Sequence, residues 1–239
     1  MMANVSLSWM VFDFGGCLDS DGTHSRVLFF RAFTAQGLVQ KEEWDRFQNA
    51  YSDVDLHLVQ HGLDKDYNLR RMNEIMCQMM AKSLGLTDQK RVTLAIEEIT
   101  QTQAKFLRRN TSILMALKRK FNLGIISNFY GNLDTVLKEF HIYELFDFVL
   151  DSFHVGQSKP DPRIFQQAID LSGQESRAMC FVGDNPNRDI RPARKLGMTT
   201  ILIYENDRTK DKTPEDNGGA DYMMTSFPEI LSLTENLVE

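Results

Sequence analysis

A short apolar run near residue 10 ends in an acid and two glycines. Met10, Val11 and Phe12 precede Asp13, and the pair Gly15-Gly16 follows. A run of this length, bounded by turn residues and too short for a helix, predicts a fully buried strand. By itself the pattern also fits a strand that ends in an ordinary surface turn. The alternative is a site at the carboxyl edge of a parallel sheet, where a strand is followed by an acid and glycines.

The pattern from Thr23 to about Leu107 is helical almost throughout. The first predicted helix begins at Val27 and ends near Gly37. Three more are predicted at 42–51, 67–84 and 88–107. Glycines stop the first and third segments, and Thr87-Asp88 can cap the fourth. This stretch therefore predicts a bundle of about four helices.

From Asn110 onward, helical and strand patterns alternate. Strands are predicted at 123–127, 146–150, 178–182, 199–203 and 221–224, and helices at 113–121, 133–140, 163–171, 191–196 and 228–237. Alternation of this kind predicts an α/β fold, with a Rossmann-like parallel sheet and helices on both faces. The first strand must join that sheet, because its backbone would otherwise stay unpaired. We therefore expect a core domain of residues 1–18 and 108–239 and an inserted helical cap domain of residues 19–107.

Composition narrows the class of protein. The 239 residues are 42% hydrophobic and 25% charged, with a net charge of −6, which disfavours nucleic acid as a partner. No apolar stretch reaches membrane-spanning length, and no signal peptide is visible, so a cytoplasmic location and no membrane partner are expected. Cys17, Cys77 and Cys180 form no CxxC pair, which argues against a disulfide framework or a zinc site.

Four short stretches of polar residues lie at the ends of predicted strands or in the loops that follow them. They are Asp13 with Gly15, Ser127-Asn128, Lys159 in SKPDPRIF, and Asp184 with Asp189 in FVGDNPNRDI. Each piece alone also fits an ordinary role, as a turn, a helix cap or a solvated lysine. In this order and spacing the set resembles the haloacid dehalogenase-like hydrolase superfamily over essentially the whole chain. The large helical insertion is similar to the cap of the subgroup that acts on small molecules.

The resemblance implies a phosphatase that works through an aspartyl-phosphate on Asp13. A carboxylate and a phosphate repel each other, so a divalent cation is needed, and Mg²⁺ prefers oxygen ligands. The implied magnesium ligands are Asp13, the Gly15 carbonyl and Asp184, with Asp189 acting directly or through water or Asp184. Ser127 and the Asn128 amide would hold phosphate oxygens, and Lys159 would balance charge on the transferring group and contact the substrate.

Two residues depart from the family pattern. Gly15 stands where these phosphatases usually carry a second Asp that protonates the leaving alcohol and later activates water, and Cys17 stands where Thr or Val is usual. A positioned acid or base is worth about 10²- to 10⁴-fold in rate. Asp19, Asp21 or His24 is a hypothetical substitute, although a polar hinge into the cap is the favoured interpretation of these three. Cys17 is interpreted as a packing residue.

Three other functions stay open. A 2-haloacid dehalogenase also lacks the second Asp, but such enzymes typically lack the acids that Asp184 and Asp189 supply here. A phosphonate hydrolase would need a cap lysine, and none of Lys41, Lys65 and Lys82 has a marked apolar setting. A weak or inactive member could act as a binding or regulatory module.

The function predicted from the sequence is Mg²⁺-dependent hydrolysis of a phosphate monoester of a small phosphorylated metabolite, by a monomer or homodimer. Four cap aromatics, Phe29, Phe30, Phe33 and Trp44, could line the substrate pocket but are expected to form the core of the cap. The polar segment 206–219 is predicted to be a mobile surface loop.

Overall fold

A computed structural model describes residues 6–205 and 216–237. Its six-stranded sheet contains β1 (Trp9–Phe12), β2 (Asn122–Ser127), β3 (Phe148–Asp151), β4 (Met179–Gly183), β5 (Thr199–Ile203) and β6 (Tyr222–Met224). The strand order is β3-β2-β1-β4-β5-β6, and every neighbouring pair is parallel. β1 therefore lies between β2 and β4, with Phe12 opposite Ile125 on one side and Val182 on the other.

The helices fall into an insertion between β1 and β2 and a second set between the later strands. The helices are α1 (Ser25–Ala35), α2 (Trp44–His61), α3 (Leu69–Ser83), α4 (Gln89–Lys118), α5 (Leu133–Glu139), α6 (Ser152–Val155), α7 (Pro162–Ser172), α8 (Arg191–Lys195) and α9 (Ile230–Leu237). The first four form the helical insertion, and the predicted bundle of about four helices is thus found. The predicted fold class, an α/β fold with a parallel sheet and an inserted helical block, is confirmed.

One predicted helix boundary is wrong. We expected one helix to end at Leu107 and another to start at Ile113, but α4 runs without a break from Gln89 to Lys118. The polar residues between the two predicted helices are accommodated inside it. Asn110 is buried and donates to the Leu18 carbonyl, and the Thr111 hydroxyl donates to the Leu107 carbonyl one turn back.

Other boundaries shift by smaller amounts. The second helix is longer than predicted, because α2 begins at Trp44 after a short 3₁₀ turn and continues to His61. β3 begins at Phe148 and not at 146, since Tyr143–Leu145 forms a 3₁₀ turn directly before it. The division into two domains at residues 18 and 107 stays a prediction.

The strand residues alternate between two apolar layers. Trp9 and Val11 belong to a cluster with Phe165 of α7, whereas Met10 and Phe12 belong to the large cluster on the other face. Successive side chains of a strand point to opposite faces, so both faces of β1 are buried by helices. The end of β1, which Asp13 follows, therefore lies between two apolar layers that helices cover.

The predicted loop 206–219 lies largely outside the described residues. Within residues 6–205 and 216–237, none of the helices has both the length and the apolar character that crossing a bilayer requires.

Candidate active site

The predicted site residues of the core meet at the carboxyl ends of three adjacent strands. Asp13 follows β1, Ser127 is the last residue of β2, and Asp184 follows β4. Because β1 lies between β2 and β4, the three chain ends are neighbours at one edge of the sheet. Lys159 and Asp189 reach the same place from loops before α7 and α8.

Asp13 is held by three donors on a single oxygen. Its Oδ1 accepts from the Phe14 amide at 2.7 Å and the Ser127 hydroxyl at 3.1 Å, and lies 2.8 Å from Nζ of Lys159. The residue is only 8% exposed and lines a pocket. Among the described residues, its second oxygen, Oδ2, receives no hydrogen bond. One oxygen is thus used for positioning, and the other is left for chemistry.

Lys159 is a buried cation between two carboxylates. Its Nζ lies 2.8 Å from Asp13 Oδ1 and 2.7 Å from Asp189 Oδ1. Burial disfavours the charged form, but attraction to the two carboxylates outweighs burial and raises the pKa of Lys159 above its usual value. Lys159 is therefore charged at neutral pH and lines the same pocket as Asp13.

The Asn128 side chain positions Lys159. Its amide nitrogen donates to the Lys159 carbonyl at 2.9 Å, and its amide oxygen accepts from the Lys159 backbone N–H at 2.8 Å. We predicted that the Asn128 backbone amide binds phosphate. Asn128 does line the pocket, but the role of its side chain as a clamp on the lysine loop was not foreseen from sequence.

Three carboxylates form a compact acidic cluster. Asp13, Asp184 and Asp189 each place an oxygen within 4.8 Å of the others. Burial, together with the neighbouring charges of Asp189 and Asp13, raises the pKa of Asp184 well above its usual range. Lys159 offsets only part of this negative charge, so the cluster suits a divalent cation. The donors are hard oxygens, which fit Mg²⁺.

Within the cluster, Asp184 and Asp189 differ in their surroundings. Both oxygens of Asp189 have partners, since Oδ1 faces Lys159 and Oδ2 accepts from the Asn185 amide at 3.0 Å. Asp184 lies directly under Gly16, where an added Cβ would be 2.3 Å from its Oδ2. These contacts make Asp184 the better candidate for a direct metal ligand and Asp189 the better candidate for a positioning residue.

Gly15 lines the pocket, and Ser25 occupies the space beside it. A Cβ added at residue 15 would lie 3.3 Å from the Ser25 hydroxyl oxygen. Ser25, the first residue of α1, therefore stands next to the place where the second Asp of the family motif would project.

Of the three hypothetical substitutes, Asp21 and His24 lack the features of a proton donor, and Asp19 has some of them. The Asp21 carboxylate accepts two bonds from Arg109, at 2.7 and 2.5 Å, and one from the Phe227 amide. Asp19 lines the pocket and burial raises its pKa, while its carboxylate accepts from the Gly16 amide and from Gln103, both at 2.8 Å. His24 caps α1 and accepts from the Arg26 amide, while burial and nearby arginines lower its pKa to about 4, which leaves it neutral. These contacts fit the polar hinge interpretation.

The helical insertion closes the pocket from above. Its lining side chains are Phe29, Tyr51, Asp55, Met72, Asn73, Met76 and Gln103. Of the four aromatics considered from sequence, Phe29 lines the pocket, whereas Phe30 packs on both Trp44 and Phe47. Phe33 is buried against Phe47 as well. Of the four, Phe29 and Phe33 belong to the buried core as expected, whereas Phe30 and Trp44 are only partly buried.

Two further predictions concern cysteine and lysine. Cys17 is fully buried, and burial raises the pKa of its thiol well above the usual value, so it is a packing residue. Lys41, Lys65 and Lys82 are exposed and lie outside the pocket lining, and the same holds for Lys90 and Lys105, the other two lysines of residues 19–107. A Schiff-base lysine from the insertion, which a phosphonate hydrolase would need, is therefore not supported.

Sequence reasoning missed Tyr51, Asp55 and Arg188, which also line the pocket. Tyr51 and Asp55 are four residues apart on α2, a spacing that places them on one helix face. That spacing was visible in the sequence, but nothing in it indicated that this face meets the core.

The family model described as haloacid dehalogenase-like hydrolase matches residues 35–203, more than half of the chain. The chain belongs to this family. Among curated proteins it is 36% identical over 104 residues to a haloacid dehalogenase-like hydrolase domain-containing protein 3 of Bos taurus, covering 42% of the chain and 41% of the relative. The chain thus spans less than half the length of that relative.

One longer alignment and two solved structures show further similarities to proteins of this family. The chain is 32% identical over 162 residues to a glyceraldehyde 3-phosphate phosphatase of Methanothermobacter thermautotrophicus, covering 63% of the chain and 69% of the relative. The crystal structure of a phosphatase of this family from Thermococcus onnurineus aligns with a TM-score of 0.54 and 19% identity, covering 95% of the chain and 98% of that structure. The L-2-haloacid dehalogenase RSc1362 aligns with a TM-score of 0.63 and 18% identity, covering 96% and 99%. At such identities the structures support the fold alone.

Proposed function

We propose that this haloacid dehalogenase-like hydrolase cleaves phosphate monoesters of small metabolites in two steps through Asp13. The observation that carries the proposal is the asymmetry of that carboxylate. Three donors hold Oδ1, while Oδ2 has no hydrogen-bond partner in the described part of the chain and belongs to a residue that lines the pocket. A carboxylate in this state can attack phosphorus without losing the contacts that orient it.

In the first step, Oδ2 of Asp13 forms a bond to phosphorus as the bond from phosphorus to the leaving alcohol breaks. Lys159 and the Ser127 hydroxyl are placed to stabilise charge on the phosphoryl oxygens. In the second step, water hydrolyses the phosphoryl-aspartate, which releases phosphate and restores the carboxylate.

A bound Mg²⁺ would offset the repulsion between the phosphate and the acidic cluster. Asp13 and Asp184 would hold it, with the Gly15 carbonyl as a further candidate, and Asp189 would keep Lys159 and the loop before α8 in position. The acidic cluster also separates this proposal from dehalogenation, since three carboxylates beside one lysine suit a cation better than a leaving halide.

The proposal is tested by measuring phosphate release from an aryl phosphate with and without Mg²⁺. Asp13→Asn is the matched control, because the amide keeps the size of the side chain but is not a nucleophile. We expect Mg²⁺-dependent turnover that the substitution abolishes. Equal phosphate release by the wild type and Asp13→Asn would contradict the proposal, as would halide release from 2-chloropropionate without phosphate release.

A further inference from the structure

The pocket that Asp13 lines also contains one acidic and one basic side chain that the proposed chemistry does not use. Asp55 comes from α2 of the helical insertion, and Arg188 comes from the turn Pro186–Ile190 that also carries Asp189. Both line the same pocket as Asp13 and Lys159. They are therefore positioned to contact the leaving group of a substrate whose phosphate lies on Asp13.

Arg188 differs from most arginines of the chain. Arg188 is exposed to solvent, and other arginines with exposed side chains, such as Arg191 with Asp216 and Arg31 with Glu205, form ion pairs with carboxylates. Within residues 6–205 and 216–237, the Arg188 guanidinium has no hydrogen bond or ion-pair partner. Its backbone is fixed nonetheless, because its N–H donates to the Asn185 side chain at 3.0 Å. A fixed backbone with a free guanidinium leaves five N–H donors available to a ligand.

The charge of Arg188 reaches the wall of the pocket that the helical insertion forms. Burial lowers the pKa of His24 and raises the pKa values of Tyr51 and Asp55, and in each case the positive charge of Arg188 shifts the pKa downward. These three groups belong to the helical insertion or to the segment that leads into it. The guanidinium is therefore close enough to these three groups for its charge to affect their pKa values. Arg26 also acts on His24 and Asp55.

Asp55 supplies hydrogen-bond acceptors on that wall. Its Oδ1 accepts from the Tyr130 hydroxyl at 2.6 Å, which orients the carboxylate. Among the described residues no donor other than Tyr130 reaches Asp55, so its other oxygen is open. Neighbouring His24 is neutral and uses Nδ1 as an acceptor, so its proton lies on Nε2 and is available for donation.

An acid and a base in the same pocket select against leaving groups that carry a single charge. A second anion near Arg188 would also meet Asp55, and a cation near Asp55 would also meet Arg188. A hydroxyl both donates and accepts, so it can satisfy the carboxylate and the guanidinium together. We propose that Asp55 and Arg188 determine specificity by binding hydroxyl groups of the leaving group, so that the substrate is a hydroxyl-bearing phosphate monoester of the polyol or sugar phosphate class.

This inference rests on the proposed phosphatase function and is tested with four substrates of similar size. They are propyl phosphate with an apolar leaving group, glycerol 1-phosphate with hydroxyls, 2-phosphoglycolate with a carboxylate and O-phosphoethanolamine with an amine. We expect the wild type to have the highest kcat/KM with glycerol 1-phosphate, by at least about tenfold. A preference for phosphoglycolate or phosphoethanolamine would overturn the inference, as would equal rates with all four.

Variants of Arg188 and Asp55 then test whether these two residues cause the preference for glycerol 1-phosphate. Arg188→Gln and Asp55→Leu should each lower kcat/KM for glycerol 1-phosphate by about 10- to 100-fold relative to propyl phosphate, because each removes charged hydrogen bonds. Asp55→Asn should restore much of the preference, since its amide oxygen still accepts. Arg191→Gln and Asp53→Asn, which change residues outside the pocket lining, are matched controls and should keep the wild-type ratio.

The ratio of the two substrates is insensitive to a loss of folded protein, so a destabilised variant is still informative. An unchanged ratio in both Arg188→Gln and Asp55→Leu would overturn the inference while leaving the phosphatase proposal intact. Failure of the phosphatase proposal has a different signature, because the wild type would then release no phosphate from any of the four substrates beyond the Asp13→Asn background.

Discussion

Replacing Gly16 with alanine should disable the acidic cluster while leaving the fold in place. Gly16 has a φ of +84°, and an added Cβ would lie 2.3 Å from Oδ2 of Asp184. Ordinary contacts of a Cβ begin at 3.4 Å, so the two atoms would have to separate by 1.1 Å. Because the residue at position 16 is bound within the turn after β1, we expect the Asp184 side chain to move.

The expected effect of Gly16→Ala has two separate parts, a loss of stability and a loss of rate. A non-glycine residue in the left-handed region costs about 1–2 kcal/mol of stability. A displacement of about 1 Å at a catalytic group costs about 10²-fold in rate. Gly85→Ala separates the two costs, since Gly85 has a φ of +66° but nothing within 4 Å of an added Cβ.

The assay measures phosphate release against Mg²⁺ concentration, together with urea unfolding of the wild type and both variants. Both variants should lose similar stability, but only Gly16→Ala should lose about 100-fold in turnover and need more Mg²⁺ for half-maximal rate. If Gly16→Ala and Gly85→Ala show the same turnover and the same Mg²⁺ dependence, the packing of Gly16 on Asp184 does not position the acid, and the reasoning fails.

Three other predictions address the charge balance of the site, its pH dependence and the missing acid. Lys159→Met should reduce turnover by at least about 10²-fold and stability by about 3–5 kcal/mol in urea unfolding, because it leaves two buried carboxylates without their cation; the exposed Lys82→Met is the control and should change neither. The pKa of His24 is lowered to about 4, so the unfolded chain binds its proton first as the pH falls from about 6.5. Stability should therefore decrease between about pH 6.5 and 4, by up to about 3 kcal/mol, and unfolding of His24→Gln should lack this part of the pH dependence. Gly15→Asp combined with Ser25→Gly should raise turnover of alkyl phosphates by about 10²-fold or more if the absent acid limits the rate; no gain over Ser25→Gly alone would show that it does not.

The strands were predictable from sequence because their signal is local. Each is a short apolar run with turn residues on both sides, and both faces of β1 are buried, so the pattern needs no knowledge of neighbours. The break predicted within α4 had the opposite cause. Asn110 and Thr111 look like an end of a helix, but a distant carbonyl, that of Leu18, and a carbonyl one turn back satisfy them. Only the tertiary structure provides the first of these partners.

The candidate site likewise contains some residues that could be predicted from sequence and some that could not. Asp13, Ser127 and Asp184 could be grouped from sequence, because strand ends in a parallel sheet share one edge. Asp55 and Arg188 could not, since their proximity depends on how the helical insertion sits on the core. The two oxygens of Asp189 and the amide of Asn128 also have partners that no spacing rule indicates.

The departure at Gly15 affects only one part of the proposed chemistry. The donors that orient Asp13 come from Phe14, Ser127 and Lys159, and none of them involves a side chain at position 15. The acidic cluster likewise forms from Asp13, Asp184 and Asp189. What an Asp at residue 15 would add is proton transfer, to the leaving oxygen in the first step and from water in the second, and a good leaving group removes only the first need. The rate of the first step, measured as kcat/KM, should therefore depend steeply on the acidity of the leaving alcohol, because the nucleophile is held in place and residue 15 supplies no proton.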